Sequence, residues 1–184
     1  MLATENSHLT KYLEDSVEDT HRLLANLVAI PAPSHNEEKR AEFIKAWLED
    51  LGAEGVYIDS AKNAVYPLLV GDGDDIVVFE AHTDTVFPDT TPFEFKSDGT
   101  NFYAPGVGDD TASVAVLMSV IRYYLTKRIV PANGALFVLN SGEEGLLLFT
   151  YKYNEAGEEP REATAGTIPG IIGGYDAKDT AYAF

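Results

Sequence analysis

One histidine and five acids stand where a folded chain could gather them. His82 and Asp84 follow the apolar run Ile76–Phe79 in "FEAHTDTVFP". A carboxylate two residues from an imidazole can hold one ring nitrogen and leave the other for a metal ion. Asp109 and Asp110 close "GVGDD", just before a long apolar-periodic segment. Glu143 and Glu144 form "NSGEEG" after a second apolar run. Taken alone, Asp109 and Asp110 are better explained as helix N-terminal acids. The adjacent glutamates repel each other unless a cation or solvent compensates. The chain has no cysteine, so any metal must use His, Asp and Glu. Nitrogen and oxygen donors of this kind suit zinc, and also accept cobalt or manganese.

The elements that must position these residues alternate in period. Leu9, Tyr12, Leu13, Val17, Leu24 and Leu27 lie near helical spacing, with Pro31 and Pro33 as stops. A second helix carries the stripe Phe43, Ile44, Trp47, Leu48 and Leu51, ending at Gly52. Ser34 and Glu37 before it have the spacing of a capping box. "EGVYID" and "NAVYPLLV" read as paired strands, followed by a "GDGDD" turn. "IVVFEAH" reads as a strand covered on both faces. "FEFKSDGTNFYAPG" reads as a hairpin turning at Ser97–Thr100. A helix over "DDTASVAVLMSVIRYYLTK" with Val114, Leu117, Val120, Ile121 and Tyr124 inward then leads to the strand "ALFVLN". Strands alternating with helices predict an α/β three-layer sandwich with a largely parallel mixed sheet. All three acid-bearing motifs fall at strand ends or helix starts, where α/β sheets bind ligands. His8, His21 and His35 lack partners at useful spacing and read as surface or core histidines.

Composition narrows the field. The 184 residues are 45% hydrophobic and 23% charged, enough for a real core. The net charge of −17 argues against nucleic acid or an anionic membrane as partner. No apolar run approaches the ~20 residues of a membrane span, and the N-terminus has no secretory pattern. The default expectation is a cytoplasmic protein. Oligomeric state is open.

"AHTDTVFP", "GVGDDTASVAVL" and "NSGEEG", with "IPAPSHNEE" ahead of them, resemble the signature segments of a two-zinc metallopeptidase and deacylase family. That family includes peptidase T, carboxypeptidase G, aminoacylase and acetylornithine deacetylase. The resemblance runs in order from Leu24 to Gly145. It implies that His82 binds one zinc and that Asp84 orients this histidine. It makes Asp109 the carboxylate bridging two ions, with Asp110 the alternative. Glu143 becomes the general base and Glu144 a ligand of the second ion. Two ions would clamp a water and lower its pKa. Glu143 would then take its proton and return it to the leaving amine of a small peptide or acylated amino acid.

The sequence also departs from that family. Thr111 stands where lysine is common. The family supplies a further acid to the first metal and a late histidine to the second. No histidine follows His82; Asp176 lies at a plausible distance for the acid, although its "GGYDAKD" context reads better as a solvated loop. Residues 1–145 therefore read as the N-terminal part of a zinc-peptidase catalytic domain, without a lid or dimerisation domain. Residues 146–184 read as an irregular or divergent tail, although "LLLFTYKY" is compatible with a strand. The expectation is weak zinc binding and slow or absent amide hydrolysis by the chain as it stands. The alternative to an enzyme is a truncated, inactive family fragment that binds metal or a partner weakly.

Overall fold

A central strand, buried along nearly its whole length, organises the molecule. The computed structural model describes residues 2–68, 76–131 and 133–144. Two helices come first, α1 (Leu2–Val28) and α2 (Glu38–Asp50). Strands β1 (Tyr57–Ile58), β2 (Ala64–Leu68) and β3 (Ile76–His82) follow. A short hairpin, β4 (Lys96–Ser97) and β5 (Phe102–Tyr103), leads to the irregular turn Val107–Thr111 and to α3 (Ala112–Lys127). Strand β6 (Gly134–Asn140) completes the described elements.

The main sheet has the order β1-β2-β6-β3. It is mixed, as expected, but not largely parallel among the described residues: β1–β2 and β2–β6 are antiparallel, and β3–β6 is parallel. The side chains of β6 alternate between two apolar clusters. Ala135, Phe137 and Leu139 face the helices, joined by Ala64, Tyr66 and Ala81. Leu136 and Val138 face the other way with Val65. From the helices come Leu24, Leu27 and Val28 of α1, Ile44 and Leu48 of α2, and Val114, Met118 and Ile121 of α3. Among the described residues, all three helices thus cover one face of the sheet. The β3–β6 register sets His82 opposite Asn140, so both strands deliver their following loops at one level.

Several local expectations are corrected. Strand β3 is not covered on both faces. It is the edge of the described sheet, and Ile76 and Val77 are exposed. A continuous apolar run fits an edge parallel strand as well as a central one, because local pattern does not encode strand order. In α1 the expected apolar face splits. Leu24 and Leu27 are buried, whereas Leu9, Leu13 and Val17 are exposed along an open groove beside Val116 and Tyr123 of α3. The hairpin forms, with its turn one residue later than expected. Asp98 accepts from the backbone N–H groups of Thr100 and Asn101 and ties it down. Helix α3 starts at Ala112, so Asp109 and Asp110 precede it, and no side chain caps its first turn. The turn expected at residues 71–75, the strand-like segment from Leu146 and Asp176 lie outside the described residues.

Phe137 is fully buried on β6, stacked on Phe79 at 5.0 Å between ring centroids and near Tyr66 at 6.3 Å. Phe137→Ala removes the aromatic that joins three strands to the helical layer. It should lower unfolding free energy by about 3–5 kcal/mol, read as a reduced urea midpoint with an unchanged slope. A loss below about 1 kcal/mol would contradict this account of the core.

Candidate metal centre

The site grows from the C-terminal ends of β3 and β6. Thr83 donates its N–H to the Asn140 carbonyl at 2.7 Å, and its hydroxyl donates to the same oxygen at 2.9 Å. These bonds extend the parallel ladder one residue and then release both chains as loops. Asp84 follows at once and is completely buried. Its Oδ2 accepts the Ser34 hydroxyl at 2.7 Å and the Glu144 N–H at 3.0 Å. Its Oδ1 accepts the Glu143 N–H at 3.1 Å and lies 3.4 Å from His82 Nδ1. Burial alone would raise the Asp84 carboxyl. The bonds from His82, Ser34 and the Glu144 N–H outweigh it and hold the group below its ordinary value.

His82 points outward from the strand end, not into the apolar core. Its Nε2 lies 3.1 Å from Asp109 Oδ1 and 3.8 Å from Glu143 Oε2. The backbone N–H of His82 donates to Asp110 Oδ2 at 3.2 Å. Burial would lower the imidazole pKa. Asp84 first, then Asp109 and Asp110, overcome this and raise it to about 9. Glu144 is raised by burial and by the charges of Asp109, Glu143 and Asp84. One donor atom each from His82, Glu143 and Glu144 lies within 4.8 Å of the others. An imidazole nitrogen with carboxylate oxygens is a donor set that fits a divalent ion such as zinc.

The turn that carries Asp109 depends on Gly106, at φ +67°. A Cβ there would stand 2.5 Å from Thr85 Cγ2. Glycine therefore lets the turn lie against the His82–Thr85 segment.

The expected site residues fall into three groups. His82, Glu143 and Glu144 come together, with Asp109 beside the imidazole. Asp84 lies beneath them, and Asp110 holds the His82 backbone rather than its ring. Asp176 is outside the described residues. Asp109 and Asp110 make no helix-cap hydrogen bond, which removes the capping part of the simpler explanation for that pair; they still lie directly before α3, where the helix dipole favours acids.

Three supporting residues were not legible as such. Ser34 and Glu37 do not form a capping box. The helix start has no side-chain cap, and Ser34 donates to Asp84 instead. Glu37 is fully buried. Its Oε1 accepts the N–H groups of His35 at 2.7 Å and Gly142 at 3.1 Å, and burial is the main cause of its raised pKa. Arg40, nearly inaccessible, donates to the carbonyls of Ile30 and Thr83, both at 2.6 Å, and to Thr111 Oγ1 at 3.3 Å. Burial lowers its pKa to about 10, opposed by Asp84 and Glu37, so it stays charged at neutral pH. A signal for Arg40 was present: it shares the 40, 44, 48 face with Ile44 and Leu48, an unusual seat for a cation.

Sheet and cluster together describe an α/β domain with a candidate divalent-metal centre at its strand ends. Comparison with known proteins narrows the class. The model of peptidase family M28 matches residues 64–166, more than half of the chain, and the chain belongs to that family. A succinyl-diaminopimelate desuccinylase from Legionella pneumophila (strain Lens) is 26% identical over 134 residues, 69% of this chain and 35% of the relative. Aminopeptidase PepT from Bacillus cereus ATCC 10987 superposes with a TM-score of 0.60 at 25% identity, over 70% of this chain and 37% of that one. A tripeptidase from Staphylococcus aureus subsp. aureus Mu50 gives 0.57 and 25%, over 69% and 37%. The chain therefore spans little more than a third of the length of these relatives. These matches agree with the resemblance read from the motifs.

In metal-free protein the His82 ring should titrate near pH 9 by NMR. Asp84→Asn should bring that midpoint down by at least about one unit, since an opposite charge at this range shifts a pKa by ~1–3. The sign for stability follows. A raised folded pKa stabilises fully below the unfolded value of about 6.5, and the contribution is lost as pH rises through about 9. The loss is on the order of 3 kcal/mol from a shift of about 2.5 units. A His82 midpoint below 7 in metal-free protein would refute this electrostatic account.

Proposed function

We propose that the protein is a metal-dependent hydrolase of peptide or N-acyl amide bonds, using divalent ions, zinc by preference, at the His82–Asp109–Glu143–Glu144 cluster. The observation that supports this is the convergence of three carboxylates, Asp109, Glu143 and Glu144, on the His82 ring, above a buried Asp84. Family membership agrees with it, as do relatives described as an aminopeptidase, a tripeptidase and a desuccinylase.

In this reading His82, Asp109 and Glu144 would hold the metal. When bound, the metal lowers the pKa of a water and polarises the substrate carbonyl. Asp84 keeps the His82 ring turned outward by accepting from Nδ1. Glu143 accepts the proton of the attacking water on a carboxylate oxygen and returns it to the leaving nitrogen as the C–N bond breaks. Glu143 suits this role because its side chain is half exposed and reaches within 3.8 Å of His82 Nε2. The water oxygen becomes part of the product carboxylate, and its protons leave on the amine and to solvent. Substrates are small peptides or acylated amino acids, and the protein works in a soluble compartment such as the cytoplasm.

Two results would test the assignment. In an active form of the protein, Glu143→Gln should retain bound zinc while lowering turnover of dipeptides or acylated amino acids by about 10²–10⁴-fold. Glu144→Gln should instead lose one metal equivalent, measured by elemental analysis of protein purified without chelator. Equal metal loss in both would refute the division of roles. Asp84→Asn should weaken zinc affinity by about 10–100-fold in calorimetric titration, and an unchanged affinity would remove Asp84 from the metal's support.

A further inference from the structure

Four successive backbone N–H groups lead into and through the paired glutamates, and each is held by a buried side chain. Ser141 donates to Asn63 Oδ1 at 2.7 Å, and Gly142 donates to Glu37 Oε1 at 3.1 Å. Glu143 and Glu144 donate to the two oxygens of Asp84 at 3.1 and 3.0 Å. Asn63, Glu37 and Asp84 are each 0% exposed. Two of these three anchor residues, Asn63 and Asp84, lie in or beside known parts of the site or sheet. Glu37 does not. It comes from the first turn before α2, outside residues 64–166, and reaches across 105 positions of sequence to Gly142.

Its burial has no cheaper explanation. A carboxylate at a helix start normally sits in solvent and caps the first N–H groups, whereas Glu37 makes no cap bond, and its Oε2 has no hydrogen-bond partner, only the Lys62 ammonium at 3.9 Å. Lys62 compensates that oxygen only at the limit of ion-pair distance, and the short hydrogen bonds that offset the burial of the acid are made by the other oxygen. That oxygen binds His35 N–H on one side and Gly142 N–H on the other. Gly142 has φ +73°, so the backbone turns sharply one residue before Glu143. A small rotation there would swing the Glu143 carboxylate away from His82.

We propose that Glu37 is a positioning residue for Glu143. It fixes the Gly142 amide and thereby the direction in which the base leaves the loop. This rests on the reading of Glu143 as general base, and its test is built to fail separately from that reading.

Glu37→Gln keeps an acceptor oxygen for both N–H groups, whereas Glu37→Leu keeps the volume and removes the acceptor. With zinc-loaded protein and a dipeptide or acylated amino acid, E37Q should turn over within about threefold of the parent. E37L should lose about 10–100-fold in kcat, with KM and metal content little changed, because misplacing a reacting group by about 1 Å costs on this scale. The readout that needs no activity is amide hydrogen exchange. The Gly142 N–H should be protected in the parent and in E37Q. In E37L it should exchange at least about tenfold faster than the amides of β6, which report global opening. An unprotected Gly142 in the parent overturns the proposal even if E37L fails to fold. So does E37L turnover within twofold of the parent, or equal losses in E37Q and E37L. Altered Gly142 exchange in E37L with no hydrolysis by any variant would sink the hydrolase reading and leave the positioning of this loop standing.

Discussion

The buried carboxylate of Asp84 is the constraint on which the site depends. An ionised group with no solvent access is costly unless donors surround it. Asp84 meets that demand with the Ser34 hydroxyl, two consecutive backbone N–H groups and the facing edge of the His82 ring. These come from chain segments 50 to 60 positions away, apart from His82 itself. Satisfying one oxygen pair therefore fixes where the segment before α2, the end of β3 and the loop after β6 must meet. Arg40 adds positive charge from below while tying the Ile30 and Thr83 carbonyls together. Buried polar networks of this kind are stable only when nearly every member is satisfied.

The sheet makes that meeting possible. Parallel pairing of β3 with β6 brings His82 level with Asn140. Antiparallel neighbours would have sent their following loops to opposite ends of the sheet. The crossover between them carries α3, and the turn before it presents Asp109 and Asp110 at the same end. Packing of Val114, Met118 and Ile121 against the core sets the level at which that turn arrives. A motif with the right residues on an antiparallel pair could not have built this cluster.

What the sequence disclosed follows from the same distinction. His82, Asp109, Glu143 and Glu144 could be read because each sits at a fixed offset from an apolar run, and strand ends are where α/β folds place chemistry. The helices and the paired strands were legible from their periods. Strand order was not, since "IVVFEAH" serves an edge as well as a centre. The roles of Ser34 and Glu37 were hidden for a sharper reason. Their spacing satisfies a capping box, and only the arrival of Asp84 and Gly142 in space diverts their side chains elsewhere. Leu9, Leu13 and Val17 show the converse case, an apolar stripe at helical spacing that the described structure leaves exposed.

Electrostatics joins the proton and the metal as rivals for one place. His82 faces Asp84, Asp109 and Asp110, and those charges raise its proton affinity despite burial. The same carboxylates would stabilise a divalent cation at Nε2, which only a neutral ring can bind. Asp84 acts on one nitrogen in both cases, with its main-chain carbonyl oxygen 3.2 Å and its carboxylate 3.4 Å from Nδ1. It therefore does not choose between proton and metal; it keeps the ring oriented for either. The choice falls to Asp109, Glu143 and Glu144 on the open side. Their mutual repulsion is relieved only partly by one proton on the imidazole and more fully by a doubly charged ion. The backbone bonds from Glu143 and Glu144 to Asp84 keep those two acids beside the imidazole, so that their repulsion favours a cation there.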